Sequence, residues 1–458
     1  MSVFRDFAAQ DTILALATAS GVGAIAVLRL SGKEAISICN QVFKGKDLTQ
    51  VESHTAHFGT IRDGEKIIDE VLVTVFIAPK SFTKENVIEI SCHGSPYIIK
   101  EIMRVLLSNG ARLAKAGEFT KRAFLNGQFD LAQAEAVADL IAADSEISHK
   151  AALNQMRGGF SQEIKNLRQE LIHFASLIEL ELDFSEEDVE FANRDDLRAL
   201  IEKLKLAINK LISSFDLGNV IKNGVPTVIA GKPNAGKSTL LNALLNEDRA
   251  MVSDIAGTTR DVIEDEINIE GISFRFIDTA GLRNTEDKLE AMGIERTRQK
   301  MKEASLIIYL FDALEVDSDQ LSVISLELKE LGIPIIYVAN KIDKGFDLTA
   351  FESVGDIVAI SAAQKTGIET LKTKLLEAVN ADGFKTGNTI VTNVRHYDAL
   401  LQTRNSLEAV LTGMDNQVTG DFLAMDIRQS LHYLGEIVGE ITHEDLLDNI
   451  FSKFCIGK

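Results

Sequence analysis

Cysteine is scarce in this chain, and the few cysteines lie far apart. There are three, Cys39, Cys92 and Cys455, and no CxxC pair occurs. Secreted domains that depend on disulfides carry even, closely spaced sets of cysteines, and structural zinc sites use paired ones. The sequence therefore argues against both, and it predicts reduced thiols in a cytoplasmic protein.

Long apolar runs and an excess of basic residues are also lacking. No uncharged apolar run approaches the roughly 18 residues that mark a membrane span, and no membrane contact is predicted. The stretch MSVFRDFAAQDTILALATASG carries Asp6 and Asp11 and lacks a basic start, which argues against a signal peptide. The formal net charge is −20, whereas a protein that grips nucleic acid with its whole surface is basic. Any contact with RNA must then be local or shared with a partner.

What the chain does contain is enough apolar sequence for several cores. Hydrophobic residues make up 45% of its 458 residues, and that length suggests about three domains. Residues 1–120 mix strand and helix patterns, 216–380 alternate them, and 121–215 and 381–458 have apolar residues at helical spacing. The predicted fold class is α/β plus all-α, with an α/β domain inserted into a helical one.

The segment GKPNAGKS at 231–238 matches the phosphate-binding pattern GxxxxGK(S/T). It follows the apolar strand PTVIA and precedes the helical TLLNALL, which is the context that this loop requires. Its glycines let backbone N–H groups approach phosphates, Lys237 reaches the β- and γ-phosphates, and Ser238 offers a hydroxyl to Mg²⁺. The predicted phosphate-binding residues are Asn234, Ala235, Gly236, Lys237, Ser238 and Thr239.

Three further motifs follow in the order of a guanine-nucleotide site, namely DTAG at 278–281, NKID at 340–343 and SAA at 361–363. Asp343 can accept hydrogen bonds from both guanine N1–H and N2–H₂, a contact that adenine cannot return. Asn340 is expected to brace Asp343, and Lys341 to lie along the base. A backbone N–H for the guanine oxygen is expected from the segment Ser361, Ala362 and Ala363. The ordered set indicates GTP rather than ATP.

The metal and γ-phosphate contacts are predicted between the phosphate loop and NKID. In GTTRD, Thr258 and Thr259 lie where a switch threonine is needed, and Thr259 is expected to complete the Mg²⁺ site. Asp278 is expected to hold the Mg²⁺ shell through water, and Gly281 to place an N–H at the γ-phosphate. The predicted GTP contacts of this segment are Asp278, Thr279, Ala280 and Gly281.

Hydrolysis needs a group that places the attacking water. Leu282 stands where Ras-like GTPases carry a water-orienting glutamine, and a leucine cannot do that work. A cation supplied to the transition state can be worth roughly 10³–10⁵ in rate. Arg283 and Glu290 are the candidates downstream. From the residues alone, Glu290 is equally well a water-activating group or a solvated helix carboxylate.

Together the motifs resemble one family over essentially the whole chain, the MnmE (TrmE) tRNA modification GTPases. The resemblance is carried by the asparagine in the phosphate loop, GTTRD, DTAGLR, LNGQFDLAQAEAVADLI at 125–141 and the terminal FCIGK. It implies a homodimer with a folate-binding-like dimerisation domain at 1–120, a helical domain from 121–215 and 381–458, and an inserted Ras-like G domain at 216–380.

The resemblance also implies how GTP is hydrolysed. In the family, two G domains meet across the nucleotide, and a potassium ion takes the position of an arginine finger. The residues that match the potassium ligands are Asn234, Ser253, Ile255 and Thr258. A loop of oxygens suits a hard cation, and positive charge there stabilises the developing charge. Glu290 matches the family's water-activating glutamate.

The implied chemistry is modification of tRNA together with an FAD-dependent partner, MnmG in the family. The pair adds aminomethyl or carboxymethylaminomethyl groups to carbon five of the wobble uridine, with methylene-tetrahydrofolate as the one-carbon donor. The positions that match folate-binding ones are Arg29, Glu89, Gln128 and Lys458. An ordinary strand-end ion pair is the alternative for Arg29 and Glu89. Many family members have a basic residue where this chain has Gln128, which can form hydrogen bonds but adds no positive charge.

The ending FSKFCIGK allows a lipidation box or a tail that reaches into a site. Lys458 is not a permissive last residue for prenylation, and no polybasic tract accompanies it, so the lipid anchor is rejected. Cys455 then remains either a reactive thiol or part of a pocket wall. A thiol–base pair at Cys92 and His93 is rejected, because neighbours on a strand point to opposite faces.

Two rival functions differ in class. A nucleotide-switched scaffold would use GTP hydrolysis only to time the assembly of a complex and would carry out no chemistry on tRNA. Potassium-dependent turnover would distinguish the family mechanism from it. A ribosome-assembly GTPase would carry the same G motifs. It would be expected to add a basic RNA-binding domain, which the acidic balance speaks against.

Overall fold

The computed structural model describes residues 11–183, 193–248, 265–277, 301–345, 351, 356–379, 389–442, 444–454 and 457. These residues divide into two compact units. The first takes its residues from the chain up to Ala142, from Ala152–Ile208 and from Asp398 onward. The second takes them from Ala143–Ala151 and Asn209–Tyr397.

The first unit begins with a seven-stranded sheet of order β3-β4-β5-β6-β2-β1-β7. Its strands are β1 (Thr12–Leu16), β2 (Ile25–Ser31), β3 (Phe43–Lys44), β4 (Thr55–Asp63), β5 (Lys66–Phe76), β6 (Val87–His93) and β7 (Ala111–Leu113). Neighbouring strands are antiparallel except for β1 and β7. Helices α1 (Ala35–Val42) and α2 (Pro96–Ser108) contribute to one apolar core with alternate strand residues such as Val71, Val73 and Val75. One face of the sheet is thereby buried.

Helices follow this sheet along the chain. They are α3 (Glu118–Leu125), α4 (Leu131–Ala142), α5 (Glu146–Met156), α6 (Gly159–Asp183), α7 (Arg194–Ser213) and α8 (Phe215–Asn223). Leu131 and Ala134 of α4 share an apolar cluster with Leu447 and Phe451, which lie far along the chain. The apolar spacing that predicts helices in 121–215 is thus explained by burial of one face of each helix.

The second unit contains a six-stranded sheet of order β13-β12-β11-β8-β10-β9. Its strands are β8 (Val225–Ala230), β9 (Asp265–Ile269), β10 (Ile272–Phe276), β11 (Leu306–Asp312), β12 (Ile335–Asn340) and β13 (Ile357–Ala359), and its helices are α9 (Lys237–Asp248), α10 (Ser318–Lys329) and α11 (Ile368–Ala378). All strand pairs are parallel except β9–β10. Every residue of β11 is buried.

Alternate residues of β11 enter two different cores, which explains its unbroken apolar sequence. Leu306, Ile308 and Leu310 join the cluster that contains residues of α9 and α11. Ile307 and Phe311 join the cluster that contains residues of α10. A parallel sheet with helices on both faces needs apolar side chains at every position of its central strands.

The last described helices are α12 (Val394–Asp415), α13 (Gly420–Val438) and α14 (Glu444–Ser452). The predicted fold class, α/β plus all-α, is confirmed. The segment INIEGISFRF forms the hairpin of β9 and β10. Its turn lies at Glu270 and Gly271, both with positive φ.

Among the helices of the described ranges, none combines the length and apolar character that crossing a bilayer requires.

Candidate nucleotide and folate sites

The phosphate loop leaves the carboxyl end of β8 and enters α9 at Lys237. Because β8, β11 and β12 are parallel, their carboxyl ends meet at one edge, which is where nucleotides bind in such sheets. Gly236 has φ +99, and a Cβ there would overlap Nδ2 of Asn340. This position therefore needs glycine for both its backbone conformation and its surroundings.

Lys237 lies folded against its own loop. Its Nζ donates to the carbonyl of Gly231 at 2.8 Å and to that of Lys232 at 2.9 Å. Burial lowers the pKa of the Lys237 ammonium from its ordinary value. Asn234 adopts the left-handed conformation with φ +64, one that asparagine tolerates better than most residues. The loop thus places a cation among backbone groups at the predicted phosphate position.

The segments predicted to recognise the base are joined to the predicted phosphate loop through Asn340. Its Nδ2 donates to the carbonyl of Ala235 at 2.8 Å, and its Oδ1 accepts from the N–H of Ala362 at 3.0 Å. Asn340 is 3% exposed, so both hydrogen bonds are shielded from water. One amide therefore joins three sequence motifs that are up to 127 residues apart, from Ala235 to Ala362.

Asp343 follows β12 on a short 3₁₀ turn, Ile342–Lys344. Its Oδ1 accepts from Oγ of Ser361 at 2.7 Å, and that Oγ also accepts from the N–H of Gln364 at 3.3 Å. Ser361 is buried at 1%, whereas Ala363 is exposed. The Ser361 hydroxyl thus orients the Asp343 carboxylate, and orientation of this kind favours the predicted hydrogen bonds to a guanine edge.

The residues predicted for folate meet on the first sheet. Arg29 and Glu89 are directly paired between β2 and β6, and the Arg29 Nη2 lies 2.7 Å from the Glu89 Oε1. The guanidinium also lies 5.8 Å from the ring centroids of both Phe82 and Phe119. Both side chains of the ion pair are about a quarter exposed, at 23% and 28%. The site combines an accessible carboxylate–guanidinium pair with aromatic walls.

The C-terminal tail reaches this pair within the same unit. The carbonyl of Gly457 accepts from Nη1 of Arg29 at 3.4 Å. Gly457 has φ +97, and a Cβ there would overlap the carbonyl oxygen of Leu16. Gln128 is exposed at the end of the turn after α3, where its N–H donates to the carbonyl of Ala123 at 2.8 Å.

Two family models cover most of the chain. The model described as MnmE helical domain matches residues 131–455, and the one described as GTP-binding protein TrmE N-terminus matches residues 12–128. The chain belongs to the MnmE family. A relative from Cytophaga hutchinsonii, named tRNA modification GTPase MnmE, is 63% identical over 450 residues, which is 98% of each chain. One from Christiangramia forsetii with the same name is 52% identical over 471 residues, 98% of this chain and 99% of the relative.

A solved structure with some likeness is the FeoB G-domain from Methanococcus jannaschii. It is 26% identical, and the match covers 34% of this chain and 98% of that one with a TM-score of 0.26. That score is too low to define a fold, so the α/β description of the second unit rests on its own sheet order.

Several residues predicted from the motifs or from the MnmE resemblance lie outside the described residues. They are Ser253, Ile255, Thr258, Thr259, Asp278, Thr279, Ala280, Gly281, Glu290, Cys455 and Lys458. Among those that are described, the structure brings the phosphate loop, Asn340 and the 361–363 segment together, and it pairs Arg29 with Glu89.

Cys92 and His93 point to opposite faces of β6, as the strand pattern predicts. Cys92 is 3% exposed, and burial raises the pKa of its thiol to about 11. His93 is exposed, and its Nδ1 lies 2.8 Å from Oδ1 of Asp69. Burial also raises the pKa of Cys39 to about 12. Neither thiol has the low pKa and exposure that nucleophilic cysteines show.

Proposed function

We propose that this chain is a GTPase that acts in tRNA modification. The observation that carries the nucleotide part is the Asn340 side chain, which joins the phosphate loop to the segment beside the oriented carboxylate of Asp343. Phosphate binding and guanine recognition are thereby combined at one sheet edge. The tRNA part rests on membership of the MnmE family.

We infer a more specific reaction from the family. With an FAD-dependent, MnmG-like partner, the homodimer adds aminomethyl or carboxymethylaminomethyl groups to carbon five of the wobble uridine in the cytoplasm. A tetrahydrofolate derivative supplies the one-carbon unit and is held by Arg29, Glu89, Gln128 and Lys458. For Cys455 the two predicted roles remain, a reactive thiol in this chemistry or part of the pocket wall. We propose the same domain boundaries that the sequence predicts, at 120, 215 and 380.

The wobble uridines of cells that lack this gene test the tRNA assignment directly. Mass analysis is expected to show the loss of the substituted uridines and their return when the gene is restored. Unchanged nucleosides in the deleted strain would remove tRNA modification from the proposal and leave the GTPase part standing.

Arg29→Gln is expected to weaken binding of a tetrahydrofolate derivative about tenfold or more. The variant removes the charge-assisted hydrogen bonds that Arg29 is proposed to donate to the folate, worth about 1.5–3 kcal/mol. It also leaves Glu89 without its cation. Calorimetric titration of the purified protein measures the effect. Arg104→Gln is the matched control, because Arg104 pairs with Asp63 and Glu101 on the same domain and is 48% exposed. Equal folate affinity in both variants would reject Arg29 as a ligand.

GTP turnover is expected to be faster in potassium than in sodium by about tenfold or more, since a cation at the transition state can be worth roughly 10³–10⁵. Asn234 is the described member of the proposed potassium site, and Ser238 and Thr259 are assigned to Mg²⁺. Glu290 is assigned to the attacking water. Asn234→Gly removes the side-chain oxygen while glycine accepts the φ of +64.

The Asn234→Gly variant should therefore lose the preference for potassium and keep nucleotide binding. Phosphate release measured in both salts, for the wild type and the variant, gives the result. Identical rates of the wild type in sodium and potassium would rule out the potassium mechanism and favour a plain nucleotide switch.

A further inference from the structure

A buried carboxylate that the motifs do not include ends β11 beside the guanine-recognition segment. The Asp312 side chain is 7% exposed, and Asp312 pairs in register with Asn340 of β12. The N–H of Ala313 donates to the carbonyl of Asn340 at 3.1 Å, so the two strands stay joined to their ends. Asp312 is therefore held at the same sheet edge as the phosphate loop.

The two oxygens of Asp312 have different partners. Oδ1 accepts from the N–H of Leu314 at 3.0 Å, and Oδ2 accepts from Nζ of Lys341 at 2.6 Å. Lys341 has φ +66, and its side chain is 27% exposed. A lysine that is free at its end loses rotamer entropy when a ligand packs on its stem. Because Asp312 already holds Nζ, the Lys341 side chain has less rotamer entropy left to lose when a nucleotide binds.

We infer that Asp312 is a positioning residue for the nucleotide, which holds the Lys341 ammonium so that the lysine stem stays in place as one wall of the base site. The inference rests on the proposed GTPase function, since it takes Lys341 to lie along the base. The methylene stem offers apolar surface to a purine face, whereas Asp343 recognises the guanine edge. Asp312 therefore acts on affinity for the nucleotide and leaves the choice of base to Asp343.

Fluorescent-GDP binding to the full chain tests this with Asp312→Asn. The dissociation constant is expected to rise about tenfold, and unlabelled GDP and inosine diphosphate should lose affinity by the same factor. In turnover, KM should rise while kcat at saturating GTP stays within about twofold. Asp317→Asn is the matched control, since Asp317 caps α10 through the N–H of Gln320 and asparagine caps helices equally well.

A double-mutant cycle with Lys341→Met shows whether Asp312 acts through the lysine. Methionine keeps an apolar stem and has no ammonium, so adding Asp312→Asn to that background should change the dissociation constant less than twofold. An equal loss in both backgrounds, or no loss with the single variant, would overturn the inference. The wild type failing to bind GDP would instead overturn the proposed function.

Folding is checked separately because Asp312 is buried. Each variant is measured below its own thermal unfolding midpoint, and Asp312→Ser serves as a second variant. A serine hydroxyl can still accept from the N–H of Leu314 but cannot hold the Lys341 charge. The two variants should lose the same affinity. If neither folds while Asp317→Asn does, Asp312 is needed for folding rather than positioning, and the inference is rejected.

Discussion

Replacing Asp343 with asparagine is expected to weaken GTP binding about a hundredfold and to favour xanthosine triphosphate instead. Two hydrogen bonds to a charged acceptor, at about 1.5–3 kcal/mol each, are lost, and the amide N–H₂ faces the guanine donors. Xanthine carries a carbonyl at position two, which can accept from that amide. Ser361 can still donate to the asparagine Oδ1, so the local fold should persist. Competition between the two triphosphates for a fluorescent nucleotide measures the switch.

Asp356→Asn is the control for charge removal in the same unit. Asp356 is 74% exposed and pairs with Lys374, outside the nucleotide segments, and exposed pairs contribute little. Its GTP affinity should stay within about twofold of the wild type. If the Asp343 variant bound GTP as tightly as the wild type, or gained nothing for xanthosine triphosphate, Asp343 would not be the guanine-reading residue.

Gly236→Ala is the second variant with a large expected effect, a loss of nucleotide affinity of about a hundredfold or more. A methyl group there overlaps Nδ2 of Asn340 and has to displace that side chain. Asn340 would then lose its hydrogen bonds to Ala235 and Ala362, at about 1–3 kcal/mol for each buried group left unsatisfied. The residue also sits at φ +99, where alanine is strained. Titration with fluorescent GDP gives the affinity.

Gly332→Ala is the control that separates the effect of backbone strain from the effect of displacing the Asn340 side chain. Gly332 has φ +67 in the same unit, and a Cβ there would meet no atom within 4 Å. Alanine at Gly332 should lower the free energy of unfolding by the strain alone, about 1–2 kcal/mol for a left-handed residue. The thermal unfolding midpoint should fall accordingly, and GDP affinity should stay within about twofold. Equal GDP affinity in the two variants would show that the close approach to Asn340 has no role in binding.

The sequence by itself determined the local parts of this protein. The phosphate loop, NKID and the βαβ alternation are contiguous patterns, and each depends on turn chemistry and apolar periodicity within a short segment. The opposite orientations of Cys92 and His93 follow in the same way from the two-residue period of a strand. The MnmE resemblance then added predicted roles for residues such as Glu290 that local patterns leave open.

Only the tertiary structure decided the pairings between distant residues. Arg29 meets Glu89 because of the register between β2 and β6, and Asn340 reaches Ala235 across 105 residues. The split of INIEGISFRF into two strands and the hold of Asp312 on Lys341 depend likewise on neighbouring strands. Strand order and register depend on the apolar surface that whole sheet faces bury together. That total burial involves residues from the entire domain, so no short segment of sequence determines it.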